Sequence, residues 1–174
     1  MTVKRFEKGF TLVELLVVIA IVAILAGALL IAINPQAMIQ KSRDSKRLQD
    51  IETLSKAINL ALADGEISLV DAGAGCATCT SASGTQEIAN PIHAGIDSWV
   101  KFTILPTKTG LVKFIPALPT DPINVAPNIY TFASTTSNFE LNAVLEHLDN
   151  ANKMATDGGE DPDVYEVGTA LNIL

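Results

Sequence analysis

Residues 9–33, with the sequence "GFTLVELLVVIAIVAILAGALLIAI", organise the rest of this chain. From Phe10 to Ile33 it holds 24 residues, of which only Thr11 and Glu14 are polar. A helix of that length is about 36 Å long, enough to cross a hydrocarbon core of about 30 Å. A lone carboxylate in such a segment is costly and usually marks a function or a hidden partner. The stretch therefore predicts a membrane-spanning helix with a functional carboxylate, Glu14, near one end.

The residues in front of this helix indicate what kind of segment it is. Three basic residues precede Gly9 in the sequence "KRFEKGFTLVELLVVIAIVAIL", which begins at position 4. This pattern, up to about residue 33, resembles the class III signal of type IV pilins and pseudopilins. The resemblance implies that a prepilin peptidase cuts after Gly9 on the cytoplasmic side and that the new N-terminal residue, Phe10, is methylated. It also implies a role in assembly for Glu14.

Two other kinds of hydrophobic segment fit less well. A secretory signal peptide has an apolar region of about 7–15 residues followed by a small-residue cleavage site, whereas Ala26, Gly27 and Ala28 lie inside this longer run. An ordinary single-pass anchor fits the length but leaves Glu14 unexplained. Basic residues lie both before and after the run, so the positive-inside bias is nearly balanced. The cytoplasmic placement of the N-terminus therefore rests on the resemblance.

The rest of the 174-residue chain is acidic. Without residues 1–9 it carries 9 basic and 18 acidic residues, a net charge of −9. Nucleic-acid phosphates need basic patches, so general nucleic-acid binding is not expected. The sequence also lacks a recognisable Ser-His-Asp constellation, phosphate loop or carboxylate pair with a nearby proton donor, which favours a structural protein over an enzyme.

Beyond residue 33 the sequence predicts a second helix. Asn34-Pro35 predicts a kink, after which helical periodicity resumes from about Gln36 to Asp64, with Gly65 as its C-cap. Apolar residues at three- and four-residue spacing predict that the second half packs on a head. They are Leu48, Ile51, Leu54, Ile58, Ala61 and Leu62.

Alternating patterns predict strands in the last third of the chain. Strands are predicted at 111–115, at 129–134, from Asn138 and from Asp163, while 96–105 fits either a strand or a short helix. The second and third are joined by residues 135–137 and predict an antiparallel hairpin. "TDPINVAPNIYTFAS", from Thr120, resembles the Asp-Pro turn and Tyr-bearing strand of major pilins and secretion pseudopilins.

The predicted fold class is α+β. A long N-terminal helix, hydrophobic in its first half and amphipathic in its second, packs on a small antiparallel β-sheet head. The predicted organisation is a cleaved leader (1–9), a transmembrane or filament-core helix (10–33), a kinked continuation of the stalk helix (34–64), a variable helix-to-sheet loop region (65–110), and a sheet head with a C-terminal segment (111–174).

Cys76 and Cys79 form a single CxxC pair. One pair cannot supply four zinc ligands, and His93 and His147 show no ligand spacing near it. A thioredoxin-like site would place the first cysteine near a helix N-terminus, whereas these flanks indicate a loop. An exported head folds in an oxidising space, which favours a local structural disulfide. Unpaired thiols, and a redox or metal function, are the alternatives.

An acidic turn contains Asp157, Asp161 and Asp163 together with two glycines. Calcium binds several carboxylate and carbonyl oxygens in a flexible loop, and the turn is vaguely similar to the C-terminal calcium loop of major secretion pseudopilins. It lacks the full calcium-loop pattern with its bidentate Glu. A solvated turn without a cofactor is favoured, with calcium binding as the alternative.

The segment from Lys41 to Arg47 has a net charge of +3. The favoured interpretation is a solvated helix face. The alternative is a collar that meets acidic heads of neighbouring subunits, or lipid head groups.

The resemblance implies a structural subunit of a type IV pilus-like filament, polymerised through its N-terminal helix. The alternatives are a pseudopilin of a type II secretion or competence system and, from another class, a non-polymerising membrane-anchored binding or adhesion domain. The implied partners are identical or related subunits, a prepilin peptidase, an assembly ATPase, an inner-membrane platform and membrane lipid. The implied location is the inner or cytoplasmic membrane as a single-pass precursor, then an extracellular or cell-envelope filament.

Overall fold

The structure is a computed structural model that describes residues 9–73, 76, 79–84 and 98–174. Leader residues 1–8, His93 and the first two residues of segment 96–105 lie outside the described residues. The chain divides into two compact units, Met1–Ile39 and Gln40–Leu174. The helices are α1 (Leu12–Ile33), α2 (Pro35–Ala63) and α3 (Ala151–Met154), and the strands are β1 (Ile67–Leu69), β2 (Phe102–Ile104), β3 (Tyr130–Ser134), β4 (Phe139–Ala143) and β5 (Tyr165–Gly168).

The first unit contains α1 and the start of α2. Leu12–Leu30 is long and apolar enough to cross a membrane, and none of it is buried within the chain. Asn34 ends α1 in a left-handed conformation with φ of 47°, and its Oδ1 accepts a hydrogen bond from Ala37 N at 3.4 Å. Pro35 then begins α2, a position where its missing N–H does no harm. The helical interruption thus falls at the Asn34-Pro35 pair.

Helix α2 ends at a glycine in the second unit. Gly65 has φ of 61°, which a residue without a Cβ adopts at little cost. Gly65 N donates to Leu62 O at 3.1 Å, and Glu66 N donates to Ala61 O at 2.9 Å. These two bonds form a Schellman motif, and the predicted C-cap is confirmed.

The buried face of α2 supplies one wall of the head's core. Four of the six predicted stripe positions are buried, whereas Leu48 and Leu62 are only partly buried. The buried α2 side chains of the core cluster are Ile51, Leu54, Ala57, Ile58 and Ala61. They share that cluster with Trp99, Phe102, Tyr130, Phe132 and Phe139.

The described strands form two antiparallel sheets. β1 pairs with β2, and the second sheet has the order β3-β4-β5. β3 and β4 form the predicted hairpin, with Phe132 opposite Leu141, and β5 covers the other side of β4, with Val167 opposite Leu141. The α+β fold class, with a long N-terminal helix and a small antiparallel head, is confirmed.

The strand predicted at 111–115 is wrong. Gly110–Lys113 forms a 3₁₀ helix instead, and Ile115 N donates to Leu111 O at 3.0 Å. Leu111 and Ile115 are both buried, and a spacing of four residues places two side chains on the same face of a helical turn as well as on the same face of a strand. Short apolar runs are ambiguous in sequence for this reason.

Candidate functional site

The N-terminal end of α1 holds the predicted assembly carboxylate. Thr11 is the N-cap of α1, and its Oγ1 accepts a hydrogen bond from Glu14 N at 3.2 Å. In return Glu14 Oε2 accepts from Thr11 N at 2.8 Å and from Thr11 Oγ1 at 2.7 Å. This reciprocal arrangement is a capping box. It directs the Glu14 carboxylate towards the N-terminal end of the helix, where the helix dipole favours negative charge.

The predicted processing site lies just outside the helix. Gly9 and Phe10 precede the N-cap in non-helical chain. Phe10 is 87% exposed, and a Cβ built on Gly9 would meet no atom of the described part of the chain within 4 Å. The Gly9–Phe10 bond is therefore accessible, and a cut there would place a new amino group one residue before Thr11.

A second constellation, which sequence reasoning missed, is buried in the head around Arg47. The Arg47 side chain is fully buried. Its Nε and Nη2 donate to the two carboxylate oxygens of Asp121 at 2.5 and 3.0 Å. Its Nη1 lies 3.0 Å from Asp44 Oδ1 and 2.5 Å from Glu146 Oε1. Bidentate pairing of this kind fixes geometry as well as charge.

The Asp44 carboxylate connects this network to the turn after β4. Its oxygens accept hydrogen bonds from the backbone N–H groups of Glu146 and His147 at 2.9 and 2.8 Å. Asn150 Nδ2 also donates to Asp44, at 2.8 Å. The buried charge is thus satisfied by several donors besides Arg47.

The Asp121 carboxylate connects the network to the proline-rich turn before β3. Asp121 Oδ1 accepts hydrogen bonds from Ile123 N at 2.8 Å and Asn124 N at 3.2 Å. Arg47 therefore joins α2 to two turns that lie 74 or more residues further along the chain.

Electrostatics keep this network charged. Burial lowers the pKa of Arg47, but hydrogen bonds to Asp121 and Glu146 raise it by more, so the net shift is upwards. The hydrogen bond from Arg43 holds the pKa of Glu146 below its usual value, with Arg47 acting in the same direction. At neutral pH the guanidinium and the Glu146 carboxylate are both ionised.

The solvated-face interpretation of residues 41–47 is wrong for Arg47. The other basic residues also have acidic partners in their own head. Arg43 contacts Glu146. Lys41 Nζ lies 2.6 Å from Asp149 Oδ2, and Lys46 Nζ lies 2.8 Å from Asp50 Oδ2. A signal was available in the sequence. Asp44 and Arg47 continue the three- and four-residue spacing of the buried stripe towards the N-terminus, which places a charged pair on the face that packs inwards.

The structure joins Cys76 and Cys79 in a disulfide, with Cα atoms 5.4 Å apart. Cys79 is 3% exposed, and its carbonyl oxygen accepts a hydrogen bond from Phe132 N at 2.9 Å. The pair lies beside the sheet and outside α2. The oxidised state in the cell stays a prediction.

The carboxylates of the acidic turn bind backbone N–H groups. Asp157 accepts from Gly159 N at 2.9 Å and from Glu166 N at 2.8 Å, while Asp161 Oδ1 accepts from Asp163 N at 3.0 Å. Among the described residues, no group of three or more His, Cys, Asp or Glu side chains is placed to hold a metal ion. Calcium binding by this turn stays a prediction.

Two buried carboxyl groups face each other beside this turn, and no local sequence pattern predicts them. Glu140 is fully buried and Glu166 is 3% exposed. Burial, together with the nearby Glu140 carboxylate, raises the pKa of Glu166 to about 7. Glu140 Oε2 accepts from the N–H groups of Ile173 and Leu174, whereas Glu140 Oε1 lacks a donor in the described part of the chain. Glu166 therefore takes up a proton at a higher pH than an exposed glutamate does.

Comparison with known proteins identifies the N-terminal segment. A family described as the prokaryotic N-terminal methylation motif matches residues 4–30. No curated protein and no solved structure matches the chain. The matched range contains Gly9, Phe10 and Glu14, together with the exposed helix that can cross a membrane. Residues 4–30 therefore carry the class III signal of type IV pilins, the signal of a pilin-like or pseudopilin precursor.

Proposed function

We propose that the chain is a structural subunit of a type IV pilus-like filament, polymerised through its N-terminal helix. The observation that carries this proposal is the apolar helix Leu12–Leu30, unburied in its own chain, with Glu14 at its end next to the Gly9–Phe10 junction. Such a helix leaves lipid at modest cost only if an equally apolar environment receives it. A bundle of identical helices is such an apolar environment. Repeated heterologous contacts that do not close give an open helical polymer.

The proposed pathway begins in the membrane. The single-pass precursor has its N-terminus in the cytoplasm, where a prepilin peptidase cuts after Gly9 and Phe10 becomes N-methylated. An assembly ATPase and an inner-membrane platform then move the subunit from lipid into a filament at the cell surface or in the cell envelope. The methylation motif at residues 4–30 supports this sequence of steps.

Glu14 is the proposed register residue of the filament. An unpaired carboxylate in an apolar core costs several kcal/mol, and Phe10 to Ile33 contains no Lys, Arg or His. Cleavage supplies a cation, the Phe10 amino group, which is largely protonated at neutral pH. The capping box holds the Glu14 carboxylate at the end of the helix that bears this amine. A neighbour staggered by about one helical turn brings its amine to Glu14 and fixes the axial register.

Glu14→Leu tests this function, with Ile19→Leu as an apolar control on the same helix. Each variant is the only copy of the subunit in its strain, and filament yield in sheared fractions is measured against total membrane-bound subunit by electron microscopy and mass spectrometry. Losing an interaction of several kcal/mol should cut the yield of Glu14→Leu more than about tenfold. Membrane insertion should stay intact, and Ile19→Leu should assemble normally.

Two outcomes would contradict the proposal in different ways. Normal filament yield from Glu14→Leu would remove the electrostatic register and leave apolar helix packing as the organiser. If the unaltered chain never enters a filament under assembling conditions and stays membrane-bound, the anchored binding or adhesion domain is the better account. Filaments confined to the periplasm, in place of surface pili, would indicate a secretion or competence pseudopilin.

A further inference from the structure

An exposed apolar turn lies just before β3. Residues 122–127 have the sequence "PINVAP"; the five exposed members are all apolar, and the one polar member, Asn124, is half-buried. Val125 is 65% exposed and Ile123 is 39% exposed. Apolar residues scattered singly over a surface need no explanation, whereas a contiguous group of them marks a contact surface. Residues 122–127 are called the apolar turn below.

The apolar turn is held in one conformation by hydrogen bonds within the head. Asp121 Oδ1 accepts from Ile123 N at 2.8 Å and from Asn124 N at 3.2 Å. The Asn124 side chain is bound at both ends, since its Nδ2 donates to Ser81 O at 3.2 Å and its Oδ1 accepts from Ser81 Oγ at 2.6 Å. A turn that is already ordered loses little conformational entropy when it binds.

The chain around the apolar turn is almost free of charge. Between Lys113 and Glu140 lie 26 residues, of which Asp121 alone is charged, and Asp121 is buried and ion-paired with Arg47. Without residues 1–9 each chain carries a net charge of −9, so identical heads repel each other where their charged surfaces meet. Interface cores are depleted of charged residues. The apolar turn is therefore a surface at which one acidic head can contact another.

A groove beside α2 is a candidate site for such a turn. It has a volume of about 520 Å³ and lies between α2 and the segment 115–119, whose lining residues are all apolar. Its charged members, Lys46 and Asp50, neutralise each other, with Nζ and Oδ2 2.8 Å apart. The uncharged residues of the α2 wall are Ser42, Ser45, Gln49, Thr53 and Leu54. This recess is called the α2 groove below.

Two other recesses of the head fit the apolar turn less well. The recess beside β5 is lined by Glu52, Lys153 and Asp157, whose charges would lose water against an apolar group at a cost in free energy. The recess beside Asn142 has a volume of about 210 Å³ and is lined by Pro127, which belongs to the apolar turn itself. The α2 groove is larger and shares no residue with the apolar turn.

We propose that the apolar turn of one head docks in the α2 groove of the next copy of this chain. The proposal rests on the proposed filament function and names the contact between heads that accompanies packing of the N-terminal helices. Ile123 and Val125 enter the groove and pack on the apolar segment 115–119. Because the turn and the groove share no residue, each copy gives one turn and receives one. Such a contact repeats from copy to copy in an open polymer.

Thiol crosslinking in intact filaments tests this contact. Val125→Cys/Gln49→Cys is expressed as the only copy of the subunit, and sheared filaments are treated with a short bismaleimide before a denaturing gel. Docking should give a ladder of dimers, trimers and longer chains, because each subunit is linked to two neighbours. In the matched control, Val125→Cys/Leu60→Cys, the second cysteine is also on the exposed side of α2 but about 16 Å further along the helix, and the ladder should be absent. Each single variant reports any crosslink through Cys76 or Cys79.

Val125→Asp measures how much the contact contributes to assembly. The aspartate charge would lose its water in the apolar part of the groove, so filament yield should fall more than about tenfold. Val112→Asp is the matched control, because Val112 is 45% exposed and lies outside both the turn and the groove. Its yield should change less than about twofold. Trp99 fluorescence checks that both heads are folded, and the crosslinking result decides if the Val125→Asp head is not.

The outcomes separate this contact from the proposed function. Normal filaments without a ladder would overturn the contact and leave the filament function standing, whereas an unaltered chain that forms no filaments would contradict that function and the contact with it. Crosslinked dimers without longer species would overturn the contact, since they indicate a closed pair. A loss of yield in Val125→Asp without a ladder would also overturn it, because the turn would then contact a membrane or a different protein.

Discussion

Replacing Arg47 by methionine should strongly destabilise the head. Removing one partner from a buried ion pair costs about 3–5 kcal/mol, since the other charge stays buried without compensation. Asp44 and Asp121 keep backbone donors, and Glu146 keeps Arg43. These remaining partners place the expected loss near the lower end, about 3 kcal/mol, which is a large part of a typical domain's stability.

Urea unfolding of the full chain in micelles measures this loss. Trp99 is the single tryptophan and is fully buried in the head, so its fluorescence follows the unfolding of the head alone. With an m-value of about 2 kcal/mol per molar urea, the midpoint should fall by about 1.5 M. Lys56→Met is the control on the same helix. The ion pair of Lys56 with Glu52 is exposed, so the free energy of unfolding should change by no more than about 0.5 kcal/mol.

The pH dependence of the Arg47→Met loss separates charge from packing. Arg47 is one of the two arginines that lower the pKa of Glu146, so without it Glu146 takes up a proton more easily and the variant gains stability as pH falls from 7 to 5. The unaltered chain does not share this gain, because Arg43 and Arg47 together keep the pKa of Glu146 low. The difference between the two should therefore shrink at pH 5. A loss below about 1 kcal/mol, or a loss independent of pH, would refute the electrostatic reasoning.

Two further predictions concern the sheet. Because the pKa of Glu166 is raised to about 7, this group binds a proton in the folded state that it loses in the unfolded state, so its contribution to stability falls as pH rises from about 4.5 to 7. Glu166→Gln should match the unaltered chain at pH 5 and exceed its unfolding free energy by roughly 1–3 kcal/mol at pH 8; an equal difference at both pH values would contradict the raised pKa of Glu166. A Cβ on Gly168 would lie 2.1 Å from the Phe139 carbonyl oxygen, whereas one on Gly73 would meet no atom of the described residues within 4 Å. Gly168→Ala should therefore destabilise the head by about 1–3 kcal/mol while Gly73→Ala stays within about 0.5 kcal/mol, and similar urea midpoints for the two would show that β4 and β5 can separate without penalty.

Local patterns in the sequence were sufficient to predict the two long helices and the β3–β4 hairpin. The unbroken apolar run predicts α1 because almost every position in it is apolar, and the spacing of Ile51, Leu54 and Ile58 predicts which face of α2 is buried. Gly65 marks the end of α2 because only a residue without a Cβ adopts φ of 61° freely. The β3–β4 hairpin follows from two alternating segments that a short turn connects.

Long-range polar contacts could not be predicted in the same way. Arg47 binds Asp121, which lies 74 residues further along the chain, and Asp44 binds Asn150, which lies 106 residues further along. No local spacing in the sequence links such pairs. The sequence suggested a solvated basic face because a charge run carries no information on partners that the fold brings to it. The buried Glu140–Glu166 pair was not predicted for the same reason, since its two members lie on neighbouring strands that pair only in the folded sheet.

The intact mass of the subunit isolated from filaments tests most directly whether the chain is a processed filament subunit. We expect a chain that starts at Phe10, carries one added methyl group and lacks residues 1–9. Gly9→Val, which replaces the glycine at the processing site by a bulky residue, should leave the leader attached and the chain in the membrane. Assembled subunits that still carry residues 1–9, or that start at any residue other than Phe10, would contradict the account.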